Sequence, residues 1–459
     1  MTKIENRVSA RSIRRGAMVL TTVLLASVVA SRKSNWNAAV AAQAPPAGPS
    51  IQLNPVVPPT VTFGDRTPVA IENAFDIFSW NSFIALNWPP GPNGKGDPKK
   101  KPGQSGDNAT VWETWIGLDN IFLEGGKTPS WDAPPVIPQA CQVNRRKGEP
   151  VLVMVGKTPN LLTAADQPFK TGPLIDQNKT YARFEIHANR SMFDYILNNK
   201  LYSRAGQSAF TGTVSFPCGG GTDAGAIMLK AAWKVLGTGD DPKHFHRTQA
   251  LVYTAASSNP TVGESCTRQT VGLVGFHIGR RLNISSQWVW STFEQIDNAP
   301  DDTEVRGGTL KSKYNFFNPA CKDCPLNEPP PRPWVPNRPD KRPTQVVRIN
   351  SLPEQAIASA KQQNQTAQAL LAGVARKSVW QYYRLISTQW PTQTNNNCTA
   401  NPANPNGTPF PQFLANVTLE TYVQGTTPQS SSSCINCHGN ATMTNGAASD
   451  FTYLLENAK

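Results

Sequence analysis

The chain has 459 residues and a formal net charge of +13, with 39% apolar and 16% charged residues. That length suits one large domain or about two to three ordinary ones, and the apolar share excludes a disordered chain although Pro (40) and Gly (33) are frequent. No Lys/Arg stripe with interleaved aromatics appears, which sets nucleic acid aside as a partner.

Residues 1–44 read as a secretory leader. Arg7, Arg11, Arg14 and Arg15 precede the apolar run 16–30, and small-residue ends follow at Ala39-Val40-Ala41 and Ala42-Gln43-Ala44. The run is shorter than the ~20 residues of a spanning helix, so cleavage and a periplasmic or secreted chain are expected. Membrane association follows only if the leader is kept. Seven Lys/Arg and one Glu lie in this stretch, leaving about +7 on the rest. Such moderate basicity favours an acidic partner at long range without specifying one.

Residues 45–62 are Pro-rich. From Ile71, the spacing of Ile71, Phe75, Phe78 and Ser82 predicts an amphipathic helix ended by Pro89-Pro90. Residues 89–109 form a polar loop. Short apolar, β-branched or aromatic runs predict strands at 151–155, 181–187, 226–235, 249–254, 271–278 and 287–294. A helix is expected at 191–202, and 325–343 is a Pro-rich crossing segment. From 353 to 388 the Ala, Gln and Leu content predicts helices stopped at Pro391. Two short helices are expected at 411–424 and 449–458. The fold class is α+β: an antiparallel β-rich body with peripheral helices and a short helical C-terminal segment that carries C-I-N-C-H at 434–438. The expected division is leader 1–44, body 45–345 and helical C-terminal region 346–459.

Eight cysteines are present. Cys434, Cys437 and His438 spell C-x-x-C-H, the attachment motif of a c-type haem. Two thiols at this spacing reach the two vinyl groups of one porphyrin, and the adjacent His becomes the proximal iron ligand. The bland alternative is a disulfide or redox C-x-x-C. Cys141, Cys218, Cys266, Cys321, Cys324 and Cys398 remain, an even number that suggests up to three disulfides whose pairing the sequence does not choose. Cys321 and Cys324 lack a following His and are expected to form a structural disulfide.

Only 21 residues follow His438, too few to wrap a porphyrin, so the preceding body is expected to supply walls and any distal ligand. Met443 lies close to His438 and reaches the far face only if the chain turns at Asn445-Gly446. Upstream, His277 is the first candidate for the iron's distal side. Strand alternation puts it with Leu273 and Gly275, opposite Val274, Phe276 and Ile278, and Gly275 leaves room for close approach. A hydrogen-bonded core His is the alternative. His187 is expected at a surface or turn, His244 and His246 at an exposed basic strand start, and Met154, Met192 and Met228 in the core. Trp288, Trp290, Thr292 and Glu294 share a face, and Glu294 is a candidate to orient His277.

The segments at 75–89, 273–278, 288–294, 316–321, 389–391 and 419–424, with S-C-I-N-C-H-G and D-F-T-Y-L-L, resemble a family of large bacterial monohaem c-type cytochromes. The resemblance spans most of the chain after the leader. It implies one haem c on Cys434 and Cys437 with His438 axial, and electron transfer to a redox partner protein. Gln295 stands where similar sequences carry His, so a ligand at 295 is not implied and His277 gains weight. The alternatives are a haem oxidoreductase, peroxidase-like or acting on an organic substrate, and a haem-based ligand sensor with an open distal site. No G-x-S-x-G, H-E-x-x-H or phosphate-binding glycine loop competes, and no catalytic residue is assigned.

Overall fold

A computed structural model describes residues 48–103, 109–142, 145–146, 149–152, 171–254, 256–258, 261–331, 342–349, 352–374, 377–392, 398, 408–424 and 433–459. The expected leader, Met154 and most of the 332–341 and 393–407 stretches lie outside the described residues. Helix α1 (Pro68–Leu86) starts on Thr67, whose hydroxyl accepts the Ala70 N–H at 3.3 Å, with Pro68 at its first position. The predicted face of Ile71, Phe75 and Phe78 packs with Val289 and Trp390. A second face, which the spacing argument missed, carries Ile77, Trp80, Phe83 and Ile84 into the main core. α1 is therefore buried over most of its circumference, and the helix expected at 191–202 is α2 (Arg190–Asn198).

Nine strands form one sheet among the described residues: β1 (Ile116–Gly117), β2 (Val151–Leu152), β3 (Arg183–Ala188), β4 (Ile227–Val235), β5 (Arg247–Thr254), β6 (Ser265–Arg280), β7 (Val289–Gln295), β8 (Tyr383–Pro391) and β9 (Pro409–Phe410). The order is β1-β3-β4-β6-β7-β8-β9, antiparallel throughout. β5 pairs the first half of β6 and carries the short parallel strand β2. The fold is α+β, as expected, and Gly48–Lys459 is one compact unit.

β8 corrects the helix expected through 388. The Ala/Gln/Leu composition holds only for α3 (Glu354–Ala372). After it, Y-R-L-I-S-T-Q-W-P is aromatic and β-branched, and it pairs with β7, Thr388 opposite Ser291 and Gln389 opposite Trp290. A register shift between Leu385 and Ser387 leaves the Leu385 backbone to Asn364 of α3, which bonds both its N–H (2.8 Å) and its C=O (2.9 Å). The stretch after residue 345 thus shares the sheet with the stretch before it. The helix expected at 411–424 is also absent. A single 3₁₀ turn, Thr421–Val423, ends an irregular segment held by side chains of the sheet. At the C-terminus the expected helix is a 3₁₀ turn, Tyr453–Asn457.

The two faces of the sheet have different tasks. Leu273, Phe276, Ile278 and Phe293 face α1, and Phe83 stacks on Phe293 with centroids 4.2 Å apart. A bulge opposite Ala232/Trp233 puts Leu273, not Val274, on this face. Val274 joins Phe184 and Ala232 in a smaller cluster. The other face presents two rungs across the strands: Ile186, Lys230, His277 and Thr292, then Ala188, Met228, Gly279, Trp290 and Gln389.

Cys321 and Cys324 form the expected disulfide, and the pairings left open by the sequence are Cys141–Cys266 and Cys218–Cys398. Disulfides of this kind are compatible with an exported protein. Among the described residues no helix is long and apolar enough to cross a membrane.

Gly275 leaves room for protein rather than a ligand. A Cβ there would lie 2.0 Å from the Thr418 hydroxyl oxygen and 3.1 Å from Asn416 Oδ1. Gly275→Ala is therefore expected to destabilise the fold by about 1–3 kcal/mol through overpacking, measured by denaturant unfolding; an unchanged midpoint would contradict this packing.

Candidate functional site

Helix α4 (Cys434–His438) is the C-x-x-C-H motif itself. Three features dock it on the sheet. Ile435, between the cysteines, is buried in a cluster with Trp290, Met443 and Phe451. Ser433 caps the helix, its hydroxyl accepting the Asn436 N–H at 3.4 Å. Gln389 of β8 accepts the Ile435 N–H at 2.7 Å while donating to the Pro411 carbonyl at 2.8 Å. One side chain thus ties an orphan N–H of the motif helix to the sheet.

His438 is held from both sides. Trp290 packs against its ring at 4.1 Å between centroids, and Tyr453 meets it edge-on at 5.2 Å. Its Nδ1 lies 2.8 Å from the Phe451 carbonyl. A carbonyl only accepts, so Nδ1 carries the proton and Nε2 keeps its lone pair. Burial pushes the imidazole down to about 4, so at neutral pH the ring is an uncharged donor of electrons.

The Phe451 carbonyl is presented by unusual backbone. Asp450 and Phe451 both have positive φ (51° and 63°), conformations costing of order 1–3 kcal/mol for such residues. Asp450 is anchored deeply enough to hold them. Its carboxylate accepts from the Phe216 N–H (2.8 Å) and the Trp288 indole (3.3 Å) and lies 3.4 Å from Arg281.

A cavity of about 400 Å³ opens beside this motif, within the range of small-molecule and cofactor sites. Cys434, Cys437 and His438 form one wall, and Leu118, Leu414 and Leu454 make much of the rest apolar. The first rung of the sheet face supplies Ile186, Lys230 and His277, and the second Met228, Gly279 and Trp290. The three motif residues and His277, 157 or more positions apart in sequence, therefore line the same cavity. Cys434 and Cys437 are free thiols, both raised by burial, Cys437 to about 11.

His277 is occupied at both ring nitrogens. Nε2 lies 2.9 and 3.1 Å from the two Glu420 carboxylate oxygens, and Nδ1 lies 3.0 Å from the Thr292 hydroxyl. Burial alone would push Glu420 up, but the His277 charge and hydrogen bond, with Lys230, hold it below the usual carboxylate value. A carboxylate makes Nε2 the protonated nitrogen. Iron ligation through Nε2 requires breaking that pair.

The remaining sequence candidates are dispersed. Glu294 makes no hydrogen bond to His277; it is buried, accepts the Val417 N–H at 2.8 Å and pairs with Arg348. Through Val417 it fixes the segment that brings Glu420 to His277. The chain does turn at Asn445-Gly446, with Gly446 at φ 85°, but Met443 enters the cluster around Ile435 rather than the cavity wall. Met228 lines the cavity, its sulfur accepting from the Thr452 hydroxyl at 3.5 Å; Met192 is core. Gln295 bonds the Asp297 N–H and Asn315, outside the cavity. His246 is buried rather than exposed, 3.2 Å from Glu113 and stacked on Trp380. His244 stacks on Tyr382 beside Asp297. His187 is a half-buried strand residue 3.1 Å from Glu185.

Sequence reasoning missed Lys230, Glu420 and Gln389. Lys230 had a signal, a charge inside the apolar run A-I-M-L-K-A-A-W. Glu420 had none, because its partner lies 143 positions away.

The cavity residues fit a covalent haem: paired thiols on one helix turn, an imidazole with only Nδ1 engaged among the described residues, and apolar walls. One donor on the walls also awaits an acceptor. The Lys230 ammonium makes no hydrogen bond or ion pair among the described residues, whereas the Trp290 indole N–H, also without a partner among them, is fully buried. No group of three or more His, Cys, Asp or Glu side chains among the described residues is placed to hold a bare metal ion. Compared with known proteins, the chain matches no family model, no curated protein and no solved structure.

Glu420→Gln is expected to lower stability at neutral pH by about 1–3 kcal/mol, the worth of hydrogen bonds to a charged group. Because the folded carboxyl is depressed, its contribution is full above the unfolded carboxylate range and is lost as pH falls through the folded value. The variant should therefore show a shallower loss of stability in acid than the wild type. Parallel acid-side profiles in denaturant unfolding would contradict the pairing.

Proposed function

We propose that the chain is an exported c-type cytochrome that holds one haem on Cys434 and Cys437, with His438 as proximal ligand, and exchanges single electrons with a redox partner protein. This is the reading that the likeness to large bacterial monohaem cytochromes implies. The observation that carries it is the state of His438: Nδ1–H is fixed on the Phe451 carbonyl, which leaves Nε2 as the coordinating nitrogen beside two free thiols. Metal-bound histidines are oriented by such second hydrogen bonds. A haem bound here would supply one-electron exchange at its iron, with a potential tuned by ligands, burial and nearby charge.

The protein's own residues do the rest. Cys434 and Cys437 provide thioether tethers, and Gln389 and Ile435 keep them on the sheet. Trp290 and Tyr453 hold the imidazole plane. The leucines of the walls exclude water, which strengthens the influence of the few charges inside. The basic surplus outside the expected leader draws an acidic partner at long range.

A second reading has an observation of its own. Because His277 is engaged at Nε2 by Glu420 and at Nδ1 by Thr292, it is no ready sixth ligand, which favours an oxidoreductase or ligand sensor with an open distal side. Optical spectra separate the two. An electron carrier gives a reduced low-spin spectrum unmoved by carbon monoxide. A spectrum shifted by carbon monoxide, unchanged in His277→Ala, favours the open site. Purified protein whose haem is entirely extracted by acidified organic solvent, or that carries none, would overturn both.

A further inference from the structure

Beyond its electrostatic pull on Glu420, Lys230 has no task in the account so far. It stands mid-strand in β4, with Ile186 and His277 as its register neighbours, and is the only Lys or Arg on the cavity wall among the described residues. Its ammonium lies 5.5 Å from the Phe184 ring. The nearby Glu420 carboxylate is taken up by His277 and by the Asn416 N–H at 3.0 Å. The residue is half-buried, and among the described residues its ammonium has a ring face beside it and no hydrogen-bonded partner; a cation so placed keeps its donors for an anionic oxygen. One cation therefore stands on the wall of a mostly apolar cavity, and the acid nearest it is occupied.

We propose that Lys230 forms a subsite for an anionic oxygen of the carboxylate class. The His277–Glu420 pair makes the subsite possible, because it keeps Glu420 from closing onto Lys230. Two sources carry this chemistry: a propionate of the covalently attached haem, or a diffusible small carboxylate. The proposal rests on the cavity assigned above, and its location does not require that haem be the occupant.

The test uses the holoprotein as wild type, Lys230→Met and Lys230→Arg, with formate as the probe and the midpoint potential as the readout. If a propionate is bound, Lys230→Met lowers the potential, Lys230→Arg restores it, and formate changes neither. If a diffusible carboxylate is bound, formate lowers the wild-type potential saturably, and Lys230→Met needs at least tenfold more. A wild-type potential in Lys230→Met together with no response to formate overturns the subsite. Lys230→Gln replaces the Met variant if that does not fold. Should the protein carry no covalent haem, the functional reading fails separately. The subsite is then read from thermal unfolding: formate raises the wild-type midpoint but not that of Lys230→Met if it exists, and raises neither if it does not.

Discussion

The 2.8 Å hydrogen bond from His438 Nδ1 to the Phe451 carbonyl decides which imidazole nitrogen stays available, and distant parts of the chain converge to hold it. It depends on Asp450 and Phe451 remaining at positive φ. That backbone is kept in place by a buried carboxylate bonded to the loop at Phe216, to Trp288 and to Arg281 at the end of the sheet. From the other side, Gln389 pins the motif helix to β8 and Trp290 of β7 covers the ring. An attachment motif with few residues after it thus acquires rigidity from strands that precede it.

The sheet accomplishes this by alternation. Phe276, Ile278 and Phe293 bury against α1 on one face, and the intervening positions His277, Gly279 and Thr292 meet the cavity or its polar rim on the other. Period-two geometry lets one strand serve stability and site together. Gly279 keeps that face low between Met228 and Trp290, whose atoms would stand 3.0–3.2 Å from a Cβ. Gly275, two residues earlier, admits Thr418 and Asn416, and so seats the segment that delivers Glu420. The charged end of the cavity is a consequence of that seating.

Local signals carried much of this in the sequence. The strands of the body, α1 and the motif were legible because each has its own periodicity or spacing. His277 was legible as a cavity candidate from strand alternation, while the room read beside it at Gly275 is filled by Thr418 and Asn416. The bonding of His277 was not legible, since Glu420 belongs to a segment whose path is set by Glu294 and Asn416 rather than by any helical pattern of its own. β8 was misread because the helix-forming composition of α3 runs close to it, and only pairing with β7 reveals the extended form. The bulge at Val274 reversed one assignment of faces, because a single inserted residue shifts every later position.

The central claim is that Cys434 and Cys437 are tethers for one haem, and the mass of the intact protein tests it most directly. Protein exported from a bacterium able to attach haem should be heavier than its polypeptide by the mass of one haem. Digestion should place that mass on the peptide containing Cys434 through His438. A mass equal to the bare polypeptide, or lighter by the hydrogens lost in a Cys434–Cys437 disulfide, would contradict the account.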